Sequence, residues 1–186
     1  LSAGIGSAVT GAGTSLAKSG GGTLTFSGAG ITYTGATTVS TGTLALNVTT
    51  AFASPVTVAN SAVLELAGTA NAEHANWTGN GLTLNNGATL NKTNTGYDTL
   101  NFSNVILSGT TAINITNNGA NNQLFIGGAA GTGLTGSGTL NITNNGSATT
   151  GLTLRYCINP VHFNGAINVT GGALNIGSGA SLVLDN

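Results

Sequence analysis

Pairs of apolar residues two positions apart recur from one end of this 186-residue chain to the other, and early on their leading leucines fall at a fixed interval. The segments GTLTF, GTLAL and AVLEL put Leu24, Leu44 and Leu64 about twenty residues apart. Alternation of this kind places Leu24 with Phe26, Leu44 with Leu46, and Leu64 with Leu66 on one strand face, while Thr, Ser or Asn takes the other. The same pairing continues at Val56 and Val58, Leu82 and Leu84, Leu100 and Phe102, Ile113 and Ile115, and Leu124 and Ile126. It runs on through Leu140 and Ile142, Leu152 and Leu154, Ile167 and Val169, Leu174 and Ile176, and Leu182 and Leu184. No window carries a 3.6-residue stripe, so the chain is expected to be all-β. The interval predicts one domain, residues 1–186, wound as a parallel β-helix (β-solenoid) of about 20 residues per coil. Each coil would stack ~4.8 Å above the last and bury a column of Leu, Ile, Val and Phe that no single coil could bury alone.

Glycine recurs where the runs end, at Gly28, Gly35, Gly42, Gly68, Gly87, Gly109, Gly119, Gly128, Gly165 and Gly177, as the corners of a solenoid require. The pairs Asn85-Asn86, Asn117-Asn118, Asn121-Asn122 and Asn144-Asn145 suit left-handed corners, and asparagines stacked coil on coil can form amide ladders. The polar turns of a β-sandwich use the same residue types and stand as the alternative architecture.

Only 4% of the residues are charged and the net charge is −1, where an ordinary soluble domain carries about 25% charged residues. So few charges leave little repulsion between like copies. Lys18, Lys92 and Arg155 are too few and too scattered to neutralise phosphates, so nucleic acid is not an expected partner. No apolar run reaches the ~18 residues of a membrane helix, so no membrane insertion by this segment is expected. The chain begins at Leu1, contains no Met and shows no export signal, and is therefore expected to be a processed product or a segment of a longer protein. Cys157 is the single cysteine and cannot staple the fold internally.

The stretch from Lys18 to Leu44, KSGGGTLTFSGAGITYTGATTVSTGTL, resembles the autotransporter-associated β-strand repeat of bacterial surface and secreted passenger proteins. Gly22-Thr23-Leu24-Thr25, Tyr33-Thr34-Gly35, Thr37-Thr38-Val39 and Gly42-Thr43-Leu44 carry the resemblance. Weaker echoes stand at Gly81-Leu82-Thr83-Leu84 and Gly171-Gly172-Ala173-Leu174-Asn175-Ile176. Between Gly28 and Tyr33 the chain departs from the family pattern, which has Asn just before its Thr-Tyr-Thr-Gly. The resemblance implies a right-handed parallel β-helix, an extracellular or cell-surface location and no assigned active site.

β-Helix enzymes that cleave polysaccharides gather carboxylates within a few ångströms. Here the acids are Glu65, Glu73, Asp98 and Asp185, spread along the chain, so no catalytic residues are expected and polysaccharide cleavage is a remote alternative. His74, His162 and Cys157 lack metal-ligand spacing, so no metal or other cofactor is expected. Two stretches interrupt the repeat. In Glu73-His74-Ala75-Asn76-Trp77, Trp77 beside His74 is a candidate surface for stacking a sugar, or else the ring caps the core. In Arg155-Tyr156-Cys157, Tyr156 is a further candidate contact, while Cys157 reads as a small buried apolar group or an intersubunit thiol. The Asn-x-Ser/Thr sequons arise largely from strand alternation, and the Thr-x-Thr motifs that a flat ice- or glycan-binding face would need do not persist into later coils.

Neither end of the sequence looks capped. Leu1, Ile5 and Val9 are apolar, and Leu182 and Leu184 still alternate near the other end, so these residues are candidate assembly edges that dock on another copy or on neighbouring coils of a longer parent. The expectation is a non-enzymatic extracellular stalk or fibre subunit that associates end to end. A monomeric adhesin touching glycans or a host surface through Trp77, His74 or Tyr156 is the alternative.

Overall fold

The computed structural model describes residues 2–5, 9–27, 32–47, 54–67, 81–93, 98–100, 105–116, 124–126, 134–144, 151–154, 161–171, 173–176 and 182–184. All regular structure among them is strand. In chain order these are β1 (Ser2–Ile5), β2 (Leu16–Lys18), β3 (Thr23–Phe26), β4 (Thr37–Val39), β5 (Thr43–Leu46), β6 (Val56–Val58), β7 (Val63–Leu66), β8 (Leu82–Leu84) and β9 (Thr89–Lys92). There follow β10 (Asp98–Leu100), β11 (Val105–Ile115), β12 (Leu124–Ile126), β13 (Leu134–Asn144), β14 (Gly151–Leu154), β15 (Val161–Thr170), β16 (Ala173–Ile176) and β17 (Leu182–Leu184).

Every pairing is parallel and skips along the chain, which is the signature of a solenoid. A first face runs β2, β4, β6, β8, then the leading half of β11. A second face runs β1, β3, β5, β7, β9, then the trailing half of β11. From β11 onward a single long strand crosses both faces, and β13 and β15 stack on it, with β17 closing the first face. All of these form one 13-stranded sheet, and β10, β12, β14 and β16 form a separate 4-stranded sheet. The parallel, in-register stacking excludes the sandwich alternative.

Alternation sorts the side chains as the sequence implies. Successive pairings join Leu44, Leu64, Leu90, Ile113 and Ile142 into one column, and none of these is more than 1% exposed. Val39, Val58, Leu84 and Leu107 make a second buried column on the first face. Each buried aliphatic side chain contributes about 1.5–3 kcal/mol, and stacking supplies the cover that one coil lacks.

The two faces meet at a short corner. At residues 59–62 and 85–88 the corner is a hydrogen-bonded turn, in which Ala62 N–H donates to the Ala59 carbonyl (3.1 Å) and Ala88 N–H to the Asn85 carbonyl (2.8 Å). Ser61 (φ 61°) and Gly87 (φ 79°) occupy the same place in these turns. Gly42 turns the preceding coil at φ 70°, and a Cβ there would stand 2.5 Å from the carbonyl oxygens of both Gly20 and Gly22.

Three expectations need correction. The twenty-residue interval holds for Leu24, Leu44 and Leu64, but the pairing of Leu64 with Leu90 spans 26 residues and that of Val105 with Leu134 spans 29. Insertions between strands lengthen a coil without disturbing the strand register. Val169, expected inward with Ile167, is 43% exposed, because β17 covers only the leading part of β15. Asn144 is not a corner residue: it ends β13, is 2% exposed and follows Ile115 in an inward column. Amide stacking occurs instead within strands, where Asn114 Nδ2 donates to Asn91 Oδ1 and Asn168 Nδ2 to Asn141 Oδ1, each at 3.0 Å. Phe102, Asn117-Asn118, Asn121-Asn122 and Asn145 lie outside the described residues.

Candidate functional site

The candidate ligand contacts His74, Trp77 and Tyr156 lie outside the described residues, as do Glu73, Arg155, Cys157 and Asp185. Among the candidate edges, Leu1 is also outside, Ile5 ends β1, Val9 is partly buried against the core, and Leu182 and Leu184 bound β17. Asp98 starts β10 and His162 lies in β15, in different sheets.

Glu65 is half-buried in β7. Its Oε1 accepts a 2.8 Å hydrogen bond from Thr93 Oγ1. The register places Asn91 and then Asn114 directly after Glu65, so the carboxylate begins a polar ladder of uncharged amides. Among the described residues no three His, Cys, Asp or Glu side chains gather into a group that could hold a metal ion.

The described cations are both structural in placement. Lys18 is 6% exposed, and its Nζ donates to the carbonyls of Gly20 (2.7 Å), Thr41 (2.9 Å) and Ser19 (3.3 Å). An ammonium has three donors, and here they tie the corners of two successive coils together. Lys92 is fully buried in the inward column between Leu66 and Ile115.

A buried polar chain crosses the early coils. Tyr33 Oη lies 2.6 Å from Thr37 Oγ1, Thr37 Oγ1 lies 2.7 Å from Ser54 Oγ, and Ser54 Oγ donates to the Gly35 carbonyl at 2.6 Å. Tyr33 is 1% exposed and Thr37 and Ser54 are fully buried. Burial pushes the Tyr33 phenol above its usual pKa, while the hydrogen bonds from Thr37 and Ser54 pull the other way. The sequence marks Tyr33 and Thr37 through the repeat resemblance, but Ser54 sits in a coil where that pattern has faded.

The two ends of the strand stack are stepped. At the head, β1 stands one strand beyond β3 on the second face, while among the described residues β2 pairs with β4 alone on the first face. A groove of about 420 Å³ lies in that step, lined by Ala3, Ala17, Lys18, Gly21, Thr23 and Leu24 among others. At the tail, β17 stands one strand beyond β15 on the first face, and the trailing half of β15 has β13 alone beside it among the described residues. Ala3 is exposed, and Leu16, Leu24 and Ile167 are only partly buried.

No curated protein and no solved structure matches this chain. Residues 16–46, which run from β2 to the end of β5 and include Lys18, Tyr33 and Thr37, match the passenger-associated-transport-repeat family. The match covers about one sixth of the chain; that repeat is one of autotransporter passenger-type β-helices, and the family implies placement at the cell surface or in the secreted fraction.

Proposed function

We propose that this chain is a non-catalytic structural segment, a β-solenoid stalk within a bacterial surface or secreted assembly. The observation that supports this reading is the unbroken buried column from Leu44 to Ile142, which makes the coils one continuous body. Uncharged stacked amides on the outside, at Asn91 with Asn114 and Asn141 with Asn168, extend that continuity to the surface. Glu65, held by the Thr93 hydroxyl at the start of an amide ladder, has the surroundings of a structural carboxylate and not of an acid–base pair.

The test is display. Placed between an epitope tag and an outer-membrane translocator in a Gram-negative host, residues 1–186 should carry the tag to the cell surface in a protease-resistant form. The purified chain should release no reducing sugar from a panel of plant and bacterial polysaccharides. Retention inside the cell, or turnover that disappears in Glu65→Gln, would overturn the reading.

A further inference from the structure

We propose that the first face of the solenoid binds ice, through an outward column made of Thr38, Thr57, Thr83, Ile106 and Thr135. This activity goes beyond the stalk reading and belongs to coils in the middle of the chain.

Strand register assembles the column. The Thr-x-Thr motifs of the sequence fade after the early coils, but single threonines are brought together by pairing: Thr38 with Thr57, Thr57 with Thr83, Thr83 with Ile106, and Ile106 with Thr135. Their neighbours Val39, Val58, Leu84 and Leu107 are at most 1% exposed and face the core, so alternation turns the column outward. Thr38 is exposed, Ile106 is 40% exposed, and Thr57, Thr83 and Thr135 are half-buried. Two positions further along each strand stand Ser40, Ala59, Asn85, Ser108 and Ser137, all small and uncharged. The face is therefore a two-dimensional array, with ~4.8 Å between coils and ~6.6 Å along each strand.

The array presents methyl groups and hydroxyls in fixed places. Threonine and isoleucine are both branched at Cβ, which restricts χ1, so Ile106 keeps a stiff methyl where the threonine run is interrupted. Among the described residues no hydrogen bond takes up the hydroxyls of Thr38, Thr57 and Thr83. The second face differs, because its amides are spent on one another at Asn91 with Asn114 and Asn141 with Asn168, and Glu65 adds a charge. No charged residue stands in β4, β6, β8, the leading half of β11 or β13. A charge orients water about itself and breaks up an ice-like layer, so its absence from five successive coils matters.

A periodic and rigid surface gains most from a ligand that is itself periodic and rigid. Ice is such a ligand: it is uncharged, it offers hydrogen-bonding oxygens at every lattice point, and its short repeat lies close to the spacing of the coils. The five rungs belong to one hydrogen-bonded sheet over a packed core, so they meet the crystal together with little left to order on binding. A sugar, by contrast, stacks on an aromatic ring, and none stands in this array.

The test is ice recrystallisation in a frozen sucrose film that contains the purified chain at micromolar concentration. Grains should stay close to their starting size, and the chain should be enriched in a slowly grown ice crystal relative to the surrounding liquid. Thr57→Lys and Thr83→Lys change outward side chains, so each should keep the urea midpoint of the native chain yet let grains coarsen as fast as in buffer alone. Thr89→Lys, at an outward position of the second face, should leave the inhibition intact. Grains that coarsen with the native chain as they do with an inert globular protein would overturn the proposal. So would inhibition that survives both first-face lysines, or that is lost equally in Thr89→Lys. Adsorption to insoluble polysaccharide through Thr57 and Thr83 with ice left untouched would overturn it as well, and would make the face a glycan contact. Each of these outcomes leaves the surface-display result untouched, so ice binding and the stalk reading fail separately.

Discussion

The hydroxyls of Thr37 and Ser54 lie 2.7 Å apart on successive coils, and both are fully buried. Thr37 also meets the Tyr33 phenol, so one side chain bridges two polar groups inside an otherwise aliphatic core. Removing a buried bridge costs more than the bond itself, because the former partners lose solvation and gain nothing. Thr37→Val should therefore destabilise the chain by about 1–3 kcal/mol. Tyr33→Phe, which leaves the Thr37–Ser54 contact in place, should cost about 0.5–1.5 kcal/mol. Urea unfolding followed by far-UV circular dichroism measures both through the shift in midpoint.

Alkaline pH should act on the same group. Burial raises the Tyr33 pKa above the usual phenol value of 10.0, so above that pH the unfolded chain releases a proton more readily than the folded one. The folded state then binds more protons, and stability falls as pH rises. The contribution is fully present below pH 10.0 and is lost as pH climbs toward the raised folded value. Melting temperature measured from pH 8 to 11 should drop more steeply for the native chain than for Tyr33→Phe. The difference between the two isolates Tyr33 from Tyr97 and Tyr156, which both chains share. Parallel curves would refute the assignment.

Gly42 and Ser61 turn successive coils with opposite consequences for substitution. At Gly42, φ is 70° and a Cβ would press on two carbonyl oxygens, so Gly42→Ala should cost at least about 2 kcal/mol through combined strain and overpacking. Ser61 holds φ 61° with a side chain already present. Left-handed backbone costs an L-residue about 1–2 kcal/mol, against about 0.5–1 kcal/mol of extra chain entropy for glycine. Ser61→Gly should therefore stabilise by up to about 1 kcal/mol, measurable as a higher urea midpoint.

Leu24, Leu44 and Leu64 made the architecture legible, because an equal interval between equivalent strand positions is what stacked coils of equal length produce. Later coils hid their length, since insertions between β7 and β9 or β11 and β13 change the interval without changing which residues pair. The burial of Lys92 went unread. Leu90 faces inward, and strict alternation from it puts position 92 on the same face, so the signal for its burial was present in the period. Val169 failed for the opposite reason. Its period is correct, but alternation does not say which strand is the last on a face, and cover depends on the next coil. The amide ladders were legible in kind and not in place, because Asn pairs draw the eye to corners while the stacking asparagines are single residues on outward strand positions. Of the candidate site, Leu182 and Leu184 fall in the strand that their alternation implies, whereas Trp77, His74 and Tyr156 stand outside the described residues.

Thr111 marks a place where the core is less than fully satisfied. It pairs with Leu140, lies next to the coil of Ala88, is 1% exposed, and its Oγ1 has no hydrogen-bond partner among the described residues. A buried hydroxyl without a partner carries its desolvation cost uncompensated, about 1–3 kcal/mol on mutational scales. Valine replaces the hydroxyl with a methyl of similar size and keeps the β-branch that suits a strand. Thr111→Val should raise stability by about 1 kcal/mol, and Thr111→Ala should lower it by leaving a void where the methyl had packed. Opposite signs in the two urea midpoints identify the bare hydroxyl as the cause. A loss of stability in both variants would mean that Thr111 is bonded in solution, through a water that enters the column beside Leu140.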